Sequence, residues 1–125
     1  MQTAIIETSA GRIAYRQSAG GGPTIVLVHG NSASSRAFAR QLDGALGARY
    51  RIIAPDLPGL GKDLTPPANV TLADNVEKIS RLLDKIEEPA VLVGHALGGV
   101  TVSQTAEARR RKLKALVYVC GLMPP

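Results

Sequence analysis

The stretch AVLVGHALGGV at positions 90–100 constrains most tightly what this chain can fold into. Val91, Leu92 and Val93 form a continuous apolar run, as in a strand covered on both faces. Gly94 follows it, and the pair Gly98 and Gly99 opens an apolar helical pattern. A buried strand therefore turns sharply into a helix. Strand and helix pass so close in such a turn that side chains at Gly94 and Gly98 would clash. The strain pushes the central side chain, Ala96, out over the sheet edge.

The other elements fit around this turn. Residues 3–8 and 12–17 are β-rich runs either side of Ser9, Ala10 and Gly11, and read as a hairpin. Residues 24–28 (TIVLV) predict a strand covered on both faces, ending in His29, Gly30, Asn31 and Ser32. Ser34 or Ser35 is placed to cap a helix with Phe38, Leu42 and Leu46 on its apolar side, closed by Gly47. Residues 50–54 predict the next strand, and residues 55–63 (PDLPGLGKD) a loop. Thr71 and Asp74 form a capping pair for a helix whose apolar residues are Leu72, Val76, Ile79, Leu83 and Ile86. Pro89 stops it. A helix over roughly 97–109 follows the turn, then an apolar strand over 114–119. Strands alternating with helices predict an α/β fold: a mostly parallel sheet of about six strands, with right-handed crossovers and an antiparallel hairpin at its edge.

A chain of 125 residues with no repeat, low-complexity tract or linker suits a single domain, 1–125, with no cap domain. Sparse aromatics (three Tyr, one Phe, no Trp) argue against stacking on single-stranded nucleic acid. The formal charge of +5 owes much to the run RRRKLK at 109–114. That run reads as a solvated helix C-terminus, where cations complement the helix dipole, with an anionic-partner patch as the alternative. No nucleic-acid or membrane partner is expected. The lone Cys120 permits no internal disulfide and, at a strand end, reads as a small buried hydrophobe. No leader or membrane span is visible, so a cytoplasmic location is expected. Asn69 opens a glycosylation sequon that reads as chance without a secretory signal.

Three segments in this order resemble the α/β-hydrolase family: VLVHGN at 26–31, DLPGLGK at 56–62 and VLVGHALGG at 91–99. The residues 90–125 are most similar to its esterase and hydroxynitrile-lyase-like branch. G-x-A-x-G at 94–98 matches the spacing G-x-S-x-G of the family's nucleophile elbow, with alanine in place of the nucleophile. The resemblance implies an oxyanion hole made by the backbone N–H groups of Asn31 and Leu97, donors fixed before charge develops. It also implies that His29, Gly30, Ser32 and His95 surround the ligand position, the two histidines supporting the turns and neither acting as base. The family's acid and histidine come later, in the order Ser, acid, His. The chain thus reads as a truncated α/β-hydrolase core.

Other chemistries fit less well. A dinucleotide site wants G-x-G-x-x-G after a first strand and an acid about 20 residues on; here Gly94, Ala96 and Gly99 are followed by Leu116 and Val117. The sequence GLGKD at 59–63 lacks both the earlier glycine and the hydroxyl residue of a Walker loop. Two histidines in separate turns and one cysteine make no metal cluster, so neither metal nor cofactor is expected. Ser103 falls inside the elbow helix with no evident partner. Two readings remain. One is a relative of serine esterases and hydrolases of small ester or amide substrates, inactive because it lacks nucleophile, acid and base. The other is a non-catalytic module, natural or a designed minimal scaffold, holding a small acyl or carboxylate ligand or a protein partner. Residues 115–119 (ALVYV) would form an exposed apolar sheet edge, so self-association is expected.

Overall fold

A computed structural model of the chain describes residues 2–9, 11–30, 33–57 and 70–120. Six strands form one sheet: β1 (Gln2–Thr8), β2 (Gly11–Gln17), β3 (Thr24–Val28), β4 (Arg51–Pro55), β5 (Ala90–His95) and β6 (Leu113–Val119), in the order β1-β2-β4-β3-β5-β6. β1 and β2 form the expected hairpin, Gln2 opposite Gln17 and Thr8 opposite Gly11. β2 runs antiparallel to β4; from β4 through β3 and β5 to β6 the strands are parallel. Gly11 has φ +100°, which a residue with a Cβ rarely adopts.

The order of the strands dictates which face each helix covers. The step from β3 to β4 goes one way along the sheet, while those from β4 to β5 and from β5 to β6 go the other. Right-handed crossovers then put α1 (Ala39–Asp43) and α2 (Ala45–Arg49) on one face, and α3 (Leu72–Lys85) and α4 (Gly98–Ala108) on the opposite one. The core divides accordingly. Ile79, Leu82, Leu83 and Ile86 from the α3 segment and Val102 of α4 pack on Val26, Val28 and Leu92. Phe38 and Leu42 pack on Leu27, Ile52 and Ala54 on the other face. Each such side chain, fully buried, contributes on the order of 1.5–3 kcal/mol.

α3 starts where the sequence predicts. Thr71 Oγ1 accepts the Asp74 N–H at 3.3 Å, and an Asp74 carboxylate oxygen accepts the Thr71 N–H at 2.8 Å, a complete capping box. Leu72, expected on the apolar face, lies in the first turn and is exposed.

The expected single helix from Ser34 or Ser35 to Gly47 is a correction. A 3-10 turn (Ser35–Phe38), capped by the Ser34 hydroxyl, leads into α1; Gly44 is extended, with φ −92° and ψ −164°, and α2 starts afresh. Gly47 does not end the helix but lies inside α2. The chain folds back so tightly there that a Cβ on Gly47 would stand 2.0 Å from the Leu42 carbonyl oxygen. The break turns Leu46 out of the core, 41% exposed.

At the far side of the sheet β6 pairs, among the described residues, with β5 alone. Its outer residues Val117 and Val119 are 40% and 45% exposed. The basic run after α4 is solvated in the main, as read from the sequence. Arg109 makes a two-pronged ion pair with Asp84, at 2.8 and 3.1 Å, which holds the Asp84 carboxyl below its ordinary range. The Lys112 ammonium donates to the Ile86 carbonyl oxygen near the end of α3. Arg110, Arg111 and Lys114 face solvent.

Candidate functional site

The strand-to-helix turn lies at the C-terminal end of the parallel strands. β5 ends at His95, Ala96 takes φ +53°, and Leu97 is already helical, with φ −64° and ψ −16°. A left-handed backbone costs a residue with a Cβ roughly 1–2 kcal/mol. Three contacts hold it. The Ala96 N–H donates to the Val119 carbonyl at 3.2 Å, tying the turn to the end of β6. The Gly99 N–H donates to the Ala96 carbonyl at 3.0 Å, starting the helix. The flanking glycines admit the close approach: a Cβ on Gly98 would stand 2.5 Å from the Val28 carbonyl oxygen, and one on Gly94 2.7 Å from Val102 Cγ2. The clash inferred from the sequence is thus present on both sides.

Gly30, after β3, lies directly against this turn. The Cβ it lacks would stand 3.3 Å from Ala96 Cβ, from the His95 carbonyl oxygen and from the Leu97 nitrogen. The structure therefore brings Gly30, Ala96 and Leu97 together in one seam, with the Leu97 N–H at the N-terminus of α4. Asn31 and Ser32, expected to supply an amide and a hydroxyl, lie outside the described residues.

His29 is wholly buried. Its Nε2 accepts the Leu57 backbone N–H at 3.0 Å, so the proton resides on Nδ1, which donates to the Gly30 carbonyl at 2.8 Å. The ring has no surface for a ligand and no free nitrogen for proton transfer; any influence it has on the seam runs through the turn it holds. Burial lowers its pKa from the ordinary 6.5, outweighing the opposite pull of the Gly30 carbonyl and of Asp56. The His95 ring turns to the face carrying α1, edge-on to Phe38 with 6.2 Å between ring centroids. There it borders an apolar groove of about 520 Å³ with Leu27, Val93, Val119 and Leu46 among its walls.

Two residues sit differently from their sequence reading. Cys120 is exposed, not buried; it leaves the sheet at the end of the edge strand with φ +46°, where no further element covers it among the described residues. Ser103 has a partner 15 positions away, the Tyr118 hydroxyl on β6, and also donates to the Gly99 carbonyl at 2.9 Å. Neither joins the seam. Sequence reading missed Asp56, which is buried and accepts the Ser35 N–H at 2.8 Å. The signal available was an acid directly after an apolar strand. Among the described residues no group of three or more His, Cys, Asp or Glu could hold a metal ion, and no helix is long and apolar enough to cross a membrane.

Comparison with known proteins gives this geometry a context. The model of the Alpha/beta hydrolase family matches residues 25–125. The magnesium-chelatase 30 kDa subunit of Rhodobacter capsulatus is 37% identical over 89 residues, 68% of this chain and 30% of its own length. An epoxide hydrolase of Caballeronia sordidicola is 33% identical over 110 residues, 85% of this chain and 32% of its own. The solved structure of the N-acyl homoserine lactonase AidH complexed with N-butanoyl homoserine superposes with a TM-score of 0.85 at 34% identity, covering 97% of this chain and 45% of that one. The chain thus spans about a third of the length of these curated relatives and under half of the lactonase.

The buried His29 makes stability depend on pH. Its folded pKa lies below 6.5, so between 6.5 and that lower value the unfolded chain binds a proton that the folded chain does not. Stability is complete above about 6.5 and falls as the pH drops towards the folded pKa. The slope from this group is at most about 1.4 kcal/mol per pH unit. Urea unfolding at pH 7 and pH 5 should show a steeper acid loss for the wild type than for His29→Gln. Equal losses would show that His29 does not titrate between the two states.

Proposed function

The chain belongs to the α/β-hydrolase family, and from that premise we propose that it carries the elbow of a hydrolase for small ester-type substrates, disarmed by alanine at the nucleophile position. The observation that carries this reading is Ala96 at φ +53°, in contact range of Gly30 and followed by the Leu97 amide. A fixed backbone donor beside a strained strand-to-helix turn suits the negative oxygen of acyl transfer. Attack needs a nucleophile beside a base. Ala96 has no Oγ, and His29 has both nitrogens engaged. His95 turns its ring onto Phe38 instead. The lactonase and epoxide hydrolase among its relatives support a hydrolytic ancestry. A cytoplasmic setting fits the single cysteine.

The test is Ala96→Ser with an activated aryl ester. The unchanged protein should show no turnover above background. Ala96→Ser alone should stay near it, because an oxyanion donor without a base and a complete pocket contributes little. A separately supplied remainder of a relative, carrying its acid and histidine, should raise the rate only with Ala96→Ser. Multiple turnover by the Ala96 protein would sink the disarmed-hydrolase reading.

A second reading, a non-catalytic holder of small acyl or carboxylate ligands, is favoured by one feature. The Leu97 amide opens the 11-residue helix α4 beside Gly30, where the helix dipole favours an anion. Butyrate should bind weakly and shift the Leu97 and Gly30 amide signals; shifts clustered elsewhere would remove the idea.

Self-association belongs to the same proposal, with a second copy pairing on the outer edge of β6, which no strand among the described residues pairs. Sedimentation velocity should show mass rising with concentration, and Val117→Lys should suppress it, since a lysine blunts an exposed strand edge. A monomer at all concentrations would exclude the pairing.

A further inference from the structure

Asp56 is a buried carboxylate placed away from the exposed surface, and the disarmed chemistry makes no use of it. Its position next to Leu57 gives it a role. These two consecutive residues, just after β4, hold two separate points: His29, which follows β3, and Ser35, which opens the 3-10 turn. Leu57 donates its N–H to His29 Nε2 at 3.0 Å. Asp56 Oδ1 accepts the Ser35 N–H at 2.8 Å. The Asp56 N–H itself donates to the Ala14 carbonyl at 2.9 Å, so the grip is anchored to β2. Arg16, also on β2, donates from Nε to the Ser35 hydroxyl at 3.0 Å.

We propose that Asp56 is a positioning residue that acts jointly with His29 as a clamp, setting how closely the Gly30 turn approaches the elbow. The path is short. His29 Nδ1–H holds the Gly30 carbonyl at 2.8 Å, and the α-carbon of Gly30 faces Ala96 and Leu97. Because the two grips come from adjacent residues of one backbone, slack at Ser35 is transmitted to Leu57 and so to His29. A carboxylate suits this job better than a neutral acceptor, since a backbone N–H bound to an ionised oxygen is roughly twice as strong. A buried carboxylate also tolerates no loss of its donors, which fixes the geometry from both sides. A residue that merely started the 3-10 turn at Ser35 would leave Leu57 and Gly30 untouched.

This inference rests on the Gly30 turn being part of the site, but its test needs no ligand and no turnover, so failure of the proposed function leaves the measurement intact. Amide hydrogen exchange and nuclear Overhauser contacts are read in the 15N-labelled protein, with the amides of the interior strand β5 reporting global opening. In Asp56→Ala, exchange at both Ser35 and Leu57 should accelerate roughly 10- to 100-fold relative to β5, and the contact between the Gly30 α-protons and the Leu97 N–H should weaken. Asp56→Asn keeps a neutral oxygen for the Ser35 N–H and should restore part of both. If Asp56→Ala does not fold, His29→Gln reads the clamp from the other end and should accelerate exchange at Ser35. Unchanged Leu57 protection and an unchanged Gly30–Leu97 contact in Asp56→Ala would overturn the clamp. So would Asp56→Asn behaving like Asp56→Ala, or Ser35 exchange unmoved by His29→Gln.

Discussion

The close passage of α4 over the end of β3 is the constraint on which the rest depends. A Cβ at Gly98 would come within 2.5 Å of the Val28 carbonyl and within 2.9 Å of that of His29. Only a glycine lets the helix begin there. Once it begins there, β5 must reverse into it over Ala96 and Leu97, and the backbone at Ala96 has to enter the left-handed region. The same passage presses Gly30 onto the turn, because the backbone that carries the Val28 and His29 carbonyls continues into Gly30. Two segments far apart in sequence are locked into one seam by a missing methyl group.

What was legible in the sequence was what local pattern encodes. Glycine spacing placed the elbow, and continuous apolar runs gave β3 and β5. The capping pair Thr71 and Asp74 with periodic apolar residues gave α3. The misreadings have different causes: in the first helix the deciding contacts are local backbone crowding, and for Ser103 the partner is distant in the chain. Gly47 looked like a helix stop, but the helix breaks at Gly44, and Gly47 is needed where the backbone folds over the Leu42 carbonyl. Cys120 looked buried by residue type, although its strand was read as a sheet edge; it follows the last residue of β6, where no element covers it among the described residues. Ser103 looked unpartnered because Tyr118 sits on another strand. The candidate site was legible as residue types at spacings; the hydrogen bonds of His29 to Leu57 and of Asp56 to Ser35 were not, spanning 28 and 21 positions.

The two faces of the sheet are unequal for a topological reason. Successive right-handed steps from β4 to β5 and from β5 to β6 keep α3 and α4 on the same side, and α3 and α4 pack against each other there. On the other side α1 and α2 cover β3 and β4, and Phe38 reaches only as far as His95. Val93, Val117 and Val119 extend the apolar surface beyond that reach, into the groove beside His95. A further right-handed crossover continuing outward from β6 would again fall on the α3–α4 side. Coverage of this groove therefore requires an element that does not continue that series.

The backbone of the elbow is shaped independently of the side chain at its centre. The strain at Ala96, roughly 1–2 kcal/mol, is not imposed by its side chain. Leu97 and Gly98 start the helix, Val119 accepts the Ala96 N–H, and Val102 fills the space beside Gly94. Each of these acts on the backbone, and it is the Cβ that Gly30 lacks that would stand 3.3 Å from that of Ala96. Exchanging a hydroxymethyl for a methyl at this position therefore leaves the forces that shape the turn where they were. In a fold of this kind the backbone geometry of the turn belongs to the contacts between β3, β5 and α4, whichever side chain the turn presents.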